Sequence, residues 1–407
     1  MAGPLENLRV LDLSRVLAGP WSTQILADMG AEVIKIERPH SGDDTRLWGP
    51  PWLRDEDGQD TRESAYFLAA NRGKHSLTAD ISQPEGLELI RELASQSDIL
   101  VENFKSGDLA KKGLDYTTLS ALNPGLIYCS ITGFGHTGPM AEMPGYDYLI
   151  QAQGGLMSIT GASDDQPGAG PKRVGVAVAD LTTGMNATIA ILGALYHRTQ
   201  TGEGQHIDLA LLDVQVSWLA NQAQNYFCSG EPPTRTGDYH PNLVPYQPFP
   251  TADDQQIIIA IGNNGQFQSF CEAIGQGQLA QDARFATNAE RVKHRVELIK
   301  VLVSATKTRT LKQWTLLLNE IGVPCGPIQD IAQVFDDPQV QARGMEVTLD
   351  SARGPVRSVA NPIKYSKTAI EYHKAPPTLG EDTSAVLERV LQKTASEIEA
   401  LKRKGVV

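Results

Sequence analysis

Leu8-Arg-Val-Leu-Asp-Leu13, then Gly19-Pro20, then Trp21 to Met29, Gly30 and Ala31-Glu-Val-Ile-Lys-Ile36, form the stretch whose reading decides the fold. A short apolar run suits a buried strand, the proline opens a helix, the glycine ends it, and a second apolar run follows. This is a βαβ unit, and the pattern returns downstream. Strand-like His75 to Ile81, helical Pro84 to Ala94, strand-like Asp98 to Glu102, helical Tyr116 to Leu122 and strand-like Leu126 to Thr132 follow in turn. Alternation of this kind predicts an α/β fold with a doubly wound parallel sheet covered by helices on both faces. Asp180 to Arg198 fits a helix, His206 to Ala210 a strand, and Leu212 to Phe227 another long helix.

Between about Ser229 and Pro248 the composition shifts to Pro, Gly, Tyr and Asn, as in a linker. A strand, Gln256 to Ile261, and helical patterns around Phe267, Val292 and Trp314 then predict a smaller α+β domain. After Gly322 the chain turns irregular and β-rich to about Lys364 and closes with an amphipathic helix, Thr383 to Lys402. The expected division is therefore 1–228 as the N-terminal part of a large domain, 229–322 as linker and small domain, and 323–407 as a C-terminal part.

The chain has 407 residues, 41% hydrophobic and 21% charged, ample for a large core without staples. Its 36 Lys and Arg against 48 Asp and Glu give a net charge of −12, which argues against nucleic acid or an anionic membrane as partner. Cys129, Cys228, Cys271 and Cys325 are far apart and form no CxxC pair, so free thiols in a reducing, cytoplasmic setting are expected. No basic start followed by an apolar run marks a signal peptide. The most apolar stretch, Val174 to Tyr196, includes Asp180, Thr182, Thr183 and Asn186 and is read as a buried strand edge and helix rather than a membrane span.

Three features could carry chemistry. Gly133-Phe-Gly135-His-Thr-Gly138 has the spacing of a dinucleotide fingerprint, but Pro144 and Gly145 follow where a helix should, so a glycine turn admitting a ligand or another backbone is the better reading. Asp180 interrupts a run with no other charge, and two roles fit it. It could cap a helix, or it could be a nucleophile held at a helix start. Finally Arg38, Arg46, Lys74, Lys105 and Lys111 follow or adjoin strand ends and could rim a phosphate-bearing ligand. No P-loop, HExxH, GxSxG or CxxC zinc pattern occurs.

Several words, in order, are similar to those of the family III CoA-transferases: Leu11-Asp-Leu-Ser-Arg-Val-Leu-Ala-Gly-Pro20, Gly30 to Arg38, Gly42-Asp-Asp-Thr-Arg46, Val101-Glu-Asn-Phe104, Ser130 to Gly135, Gly145-Tyr-Asp147, Gly202-Glu-Gly-Gln205, Gly322 to Pro327 and Leu379-Gly-Glu-Asp382. The resemblance implies that Asp180 is the catalytic nucleophile, with Tyr146 and Asp147 near the reacting thioester. It implies CoA contacts at Val16, Ala18, Arg38, Ala79, Asn103, Phe104 and Lys111, the last standing where a relative has Arg. It further implies an interlocked homodimer, an acyl-CoA and a carboxylic acid as substrates, and no resident cofactor or metal, CoA entering as substrate. Tyr239 to Tyr246 occupies the region where formyl-CoA transferase has a glycine-rich covering loop.

Within the family, Gly42 to Pro51, Val244-Pro-Tyr-Gln247 and Gly262-Asn-Asn264 resemble the succinyl-CoA:glutarate, dicarboxylate-using enzymes. A second carboxylate needs a cation, and Arg46, Lys172 and Arg173 are candidates, each equally suited to a structural ion pair. The rival in the same fold, α-methylacyl-CoA racemase, needs a second base in the word that here reads Gly145-Tyr146-Asp147. A tyrosine, with a pKa of about 10, serves poorly there at neutral pH.

Overall fold

The computed structural model describes residues 3–55 and 57–407 and divides into two compact units. The first comprises Met1–Leu156, Val174–Gln224 and Gln339–Val407, the second Met157–Arg173 with Asn225–Pro338.

The first unit is built on six strands: β1 (Arg9–Asp12), β2 (Glu32–Glu37), β3 (Lys74–Thr78), β4 (Ile99–Glu102), β5 (Ile127–Thr132) and β6 (His206–Ala210). In this six-stranded sheet every pairing is parallel, in the order β3-β2-β1-β4-β5-β6, and two short antiparallel pairs lie apart from it in the same unit. The chain builds outward from β1 on one side, then returns to start again on the other. Between β1 and β4 the direction reverses, and such a switch point opens a crevice beyond the strands' carboxyl ends. β1 to β5 are largely buried on both faces, so β5 shows no strict apolar–polar alternation, whereas β6, at the edge, alternates exposed and partly buried positions.

Two helical layers cover the sheet. On one face Val10, Val33, Val101 and Ile127 pack with Leu26 of α1 (Ala18–Asp28) and, from the long helix Val178–Thr201, Ala187 and Ile191. On the other, Leu11, Ile34 and Leu100 meet Leu89, Ile90 and Leu93 of the helix Pro84–Ser95 and, from the C-terminal segment, Val386, Leu387 and Ile398. In chain order these elements are α1, α2 (Pro84–Ser95), α3 (Tyr116–Leu122), α4 (Asp147–Gln153) and α5 (Val178–Thr201).

Among the described residues α5 alone is long and apolar enough to span a membrane, but it is half buried inside this unit. Its backbone approaches α1 so closely that a Cβ at Gly184 would lie 2.6 Å from the carbonyl oxygen of Ala18. No strand edge precedes it, contrary to the reading of Val174 to Tyr196, because residues 171–177 are irregular. The C-terminal segment is tied to β3: Asp382 accepts from the Ser76 N–H at 2.9 Å and bonds Nδ1 of His75 at 3.0 Å.

The second unit holds an antiparallel sheet of β7 (Tyr246–Pro250), β8 (Gln256–Ala260) and β9 (Cys325–Pro327), in the order β9-β8-β7. Phe249, Ile257 and Ile259 pack there with Phe267, Phe270 and Trp314 from helices. The sequence reading set divisions after 228 and 322; the compact units divide after Gln224 and Pro338, because β9 pairs with β8, and residues 157–173 fall with the second unit. Two predicted helices are each broken. Leu212 to Phe227 becomes Leu211–Ser217 and Ala220–Ser229, with Ala220 at φ 43°. Thr383 to Lys402 becomes Thr383–Leu391 and Ala395–Arg403, the second opened by a Thr394/Glu397 capping box.

Candidate active site

The loops that follow β1, β4 and β5 enclose a cleft of about 230 Å³ at the switch point. Val16 and Ala18 come from the first loop and the start of α1, Asn103 and Phe104 from the second, Gly133 from the third, Tyr146 from the N-cap of α4 and Asp180 from the first turn of α5. The glycine turn has the plainer of its two predicted roles. Gly133 lies against Gly145, where an added Cβ would sit 2.5 Å from the Gly145 Cα, and Gly135 and Gly138 have φ of 86° and 89°.

Asp180 does not cap its helix. The N-cap of α5 is Ala177, without a side-chain bond. The orphan donors of the first turn are taken instead by Asp147, whose Oδ1 accepts from the Ala179 N–H at 2.8 Å and the Asp180 N–H at 3.4 Å. Its other oxygen accepts from Nε2 of Gln151 at 2.7 Å, and Gln151 in turn takes the Val174 N–H at 2.9 Å. Among the described residues no donor reaches the Asp180 carboxylate. Burial, and then the charge of Asp147, push Asp180 up to about 7, outweighing the helix N-terminus that favours its ionised form. The site therefore holds a carboxylate that is basic, unspent and positioned at the cleft.

A second cleft, of about 380 Å³, adjoins the first through Arg15 and Phe104, which line both. Leu13, Ile36, Ala79 and Ile81 give it apolar walls, and Arg38 and Lys112 add cations. Arg15 and Arg38 both pair with Asp44, and the Arg15 guanidinium lies over the Phe104 ring at 5.2 Å from its centroid.

Of the sequence-predicted residues, the structure gathers Val16, Ala18, Asn103, Phe104, Tyr146 and Asp180 around the first cleft and Arg38, Ala79 and Phe104 around the second. Lys111 lines neither; it is exposed and paired with Asp108, and its neighbour Lys112 lines the second cleft. Lys74 is no rim cation, since it points into the interior and pairs with Asp12 at 3.1 Å, both side chains fully enclosed. Arg46 is likewise committed: it grips Glu37 through Nε at 2.7 Å and Nη2 at 2.8 Å, donates to the Pro377 carbonyl and stacks on Phe67. Lys172 and Arg173 belong to the second unit. Sequence reading missed Arg15 and Tyr66. Burial, then the charges of Asp180, Asp147 and Asp43, hold the Tyr66 phenol up to about 12, so it stays a hydrogen-bond donor beside the cleft's carboxylates.

The model of CoA-transferase family III matches residues 5–383. A succinate–glutarate CoA-transferase of Agrobacterium fabrum is 50% identical over 396 residues, 97% of this chain and 98% of the relative. The human succinyl-CoA:glutarate CoA-transferase is 41% identical over 405 residues, covering 99% and 90% of the two chains. Among solved structures, a CaiB/BaiF family protein from Brucella suis superposes with a TM-score of 0.84 at 48% identity, covering 96% of this chain and all of that one.

Proposed function

The chain belongs to CoA-transferase family III, and from that premise we infer that it moves CoA from succinyl-CoA to glutarate or a closely similar short dicarboxylate, with Asp180 as the nucleophile. The observation that carries the nucleophile is the Asp180 carboxylate itself, relieved of capping by Asp147 and raised in basicity at the cleft wall.

CoA would lie across both clefts. The apolar walls at Ile36, Ala79 and Ile81 suit the adenine, Arg38, Arg15 and Lys112 suit phosphates, and the thioester would reach Asp180 past Val16 and Ala18. The reaction then needs no net proton transfer. Asp180 attacks the succinyl carbonyl, the C–S bond breaks, and an aspartyl–succinyl anhydride and CoA thiolate form. The thiolate attacks the aspartyl carbonyl, releasing succinate and leaving an aspartyl-CoA thioester. The acceptor carboxylate attacks that thioester and expels CoA thiolate, which attacks the acceptor carbonyl of the new anhydride and frees Asp180. Arg46 is already occupied by Glu37 and is therefore withdrawn as a reader of the acceptor's far carboxylate. A homodimer is the proposed working form, supported by large apolar side chains exposed along one helix, among them Ile189 and Tyr196, and a cytoplasmic location is proposed with it.

The test is to mix the protein with succinyl-CoA and a panel of short mono- and dicarboxylates and follow new acyl-CoA species by mass spectrometry. Glutaryl-CoA formed by the native protein and absent with Asp180→Asn and Asp180→Ala is expected. No exchange with any acid would refute the reading.

A further inference from the structure

Between β1 and α1, side chains hold five of the six backbone N–H and C=O groups of Ser14 to Val16. The Ser14 N–H goes to Oδ1 of Asp12 at 3.0 Å, and the Ser14 carbonyl accepts from Nζ of Lys35 at 2.9 Å. Arg15 gives its N–H to Oδ1 of Asn103 at 2.8 Å and takes Nδ2 of the same residue on its carbonyl at 2.6 Å. The Val16 N–H is shared between the two carboxylate oxygens of Asp43, 3.3 Å from each. Further on, the Pro20 carbonyl accepts from Nζ of Lys74 at 2.9 Å.

Four of these anchors are charged and fully enclosed, in the pairs Lys35–Asp43 at 2.9 Å and Lys74–Asp12 at 3.1 Å. Buried ion pairs are weak contributors to stability, and apolar replacements of similar volume often serve a fold as well or better. Their common feature here is the loop they grip. It carries Val16, a β-branched residue held at φ 70°, in the left-handed region such residues avoid. It also folds tightly enough that a Cβ at Gly19 would lie 2.3 Å from the Ser14 side chain. Val16, Leu17 and Ala18 line the cleft with Asp180, and the Ala18 carbonyl abuts Gly184 of α5, the helix that carries Asp180.

We propose that Asp12, Lys35, Asp43 and Lys74 are positioning residues for CoA transfer: with Asn103 they lock the Ser14 to Ala18 loop in its strained form and so fix the wall of the cleft in which Asp180 meets the thioester. The role rests on the reaction proposed above. Attack by a carboxylate on a carbonyl demands close alignment, and a displacement of about 1 Å can cost about a hundredfold in rate.

Val16→Gly tests this without touching a charge. Glycine adopts the left-handed conformation freely, so the variant is expected to melt no lower than the native protein while the loop gains freedom. Its kcat for glutaryl-CoA formation is expected to fall by about thirty- to a hundredfold, with KM for glutarate changed by less than about threefold. The paired variant Lys35→Met with Asp43→Leu removes one ion pair as a unit, leaves the Val16 N–H without its acceptor, and is expected to show the same split between kcat and KM. If both variants fold and keep kcat within about threefold of native, the positioning role is overturned while the reaction stands. If the native protein itself exchanges no CoA, the proposed reaction fails and this role falls with it.

Discussion

An ordinary aspartate does not change charge between pH 6 and 8, whereas Asp180 does. Burial, and next to it the carboxylate of Asp147, raise its pKa from 3.8 to about 7. In the proposed reaction only the ionised form attacks the thioester, so the rate would follow the ionised fraction, which climbs from about one-tenth at pH 6 to about nine-tenths at pH 8. The value of kcat/KM for succinyl-CoA, which reports the free enzyme, is therefore expected to rise roughly tenfold over that interval and then level. Glutarate, whose carboxyl groups titrate near a pKa of about 4 to 5, stays ionised throughout and contributes no slope. Asp147→Asn removes the neighbouring charge and retains a carbonyl oxygen for the Ala179 N–H, so its midpoint is expected to fall below the native one. Initial rates of glutaryl-CoA formation, measured at constant ionic strength, decide the matter. A native profile that is flat from pH 5.5 to 8, or a midpoint that Asp147→Asn leaves in place, would refute the reasoning.

The same raised pKa has a cost in stability. Its folded value lies above its unfolded one, so the native state loses stability as pH climbs from about 4 to about 7, by at most about 4 kcal/mol. Asp180→Asn is thus expected to melt above the native protein at pH 8 and together with it near pH 4; an Asn variant that melts no higher at pH 8 counts against burial as the cause. At Asp382 the sign reverses, because His75, Lys374 and the Ser76 N–H outweigh burial and hold the carboxyl down to about 2. Its contribution is present above the unfolded pKa and fades as pH falls through about 2, so Asp382→Asn should lower stability in urea by about 1–2 kcal/mol at pH 7, with the gap narrowing below pH 4. Equal midpoints at pH 7 would show that this tie does not hold the C-terminal segment to β3. Gly133→Ala would place a methyl 2.5 Å from the Gly145 Cα and is expected to cost about 1–3 kcal/mol, whereas an unchanged urea midpoint would mean the two turns separate freely.

The first βαβ unit was legible because its strands are buried on both faces and its helix is bounded by Pro20 and Gly30, signals that lie next to one another in the chain. Asp180 stood out as a lone charge, but whether it capped α5 could not be read locally, since the residue that does the capping is Asp147, 33 positions before it. Arg46 and Lys74 looked like exposed cations after strand ends. Their partners, Glu37 and Asp12, are brought to them by β2 and β1, and nothing in a sequence distinguishes a cation bound for solvent from one bound for such a pair. Arg15 and Tyr66 were missed for the related reason that each acquires its surroundings from remote segments: Arg15 from Asn103 and Asp44, Tyr66 from Asp180 and Asp147. The tail helix carried a readable break, the Thr394/Glu397 capping box, which the amphipathic pattern running through it concealed.

In the proposed reaction the Asp180 carboxylate is joined covalently to the acyl group and to CoA in turn. The most direct measurement supplies glutarate with both carboxyl groups labelled with heavy oxygen, allows turnover with succinyl-CoA, and weighs the peptide containing Asp180. In the proposed sequence the oxygen bridging the second anhydride comes from the acceptor and stays with the aspartate when CoA thiolate takes the acyl carbon. Asp180 is therefore expected to gain heavy oxygen only when both substrates are present. Glutaryl-CoA formed while that peptide stays unlabelled, or formed equally well by Asp180→Asn, would contradict it.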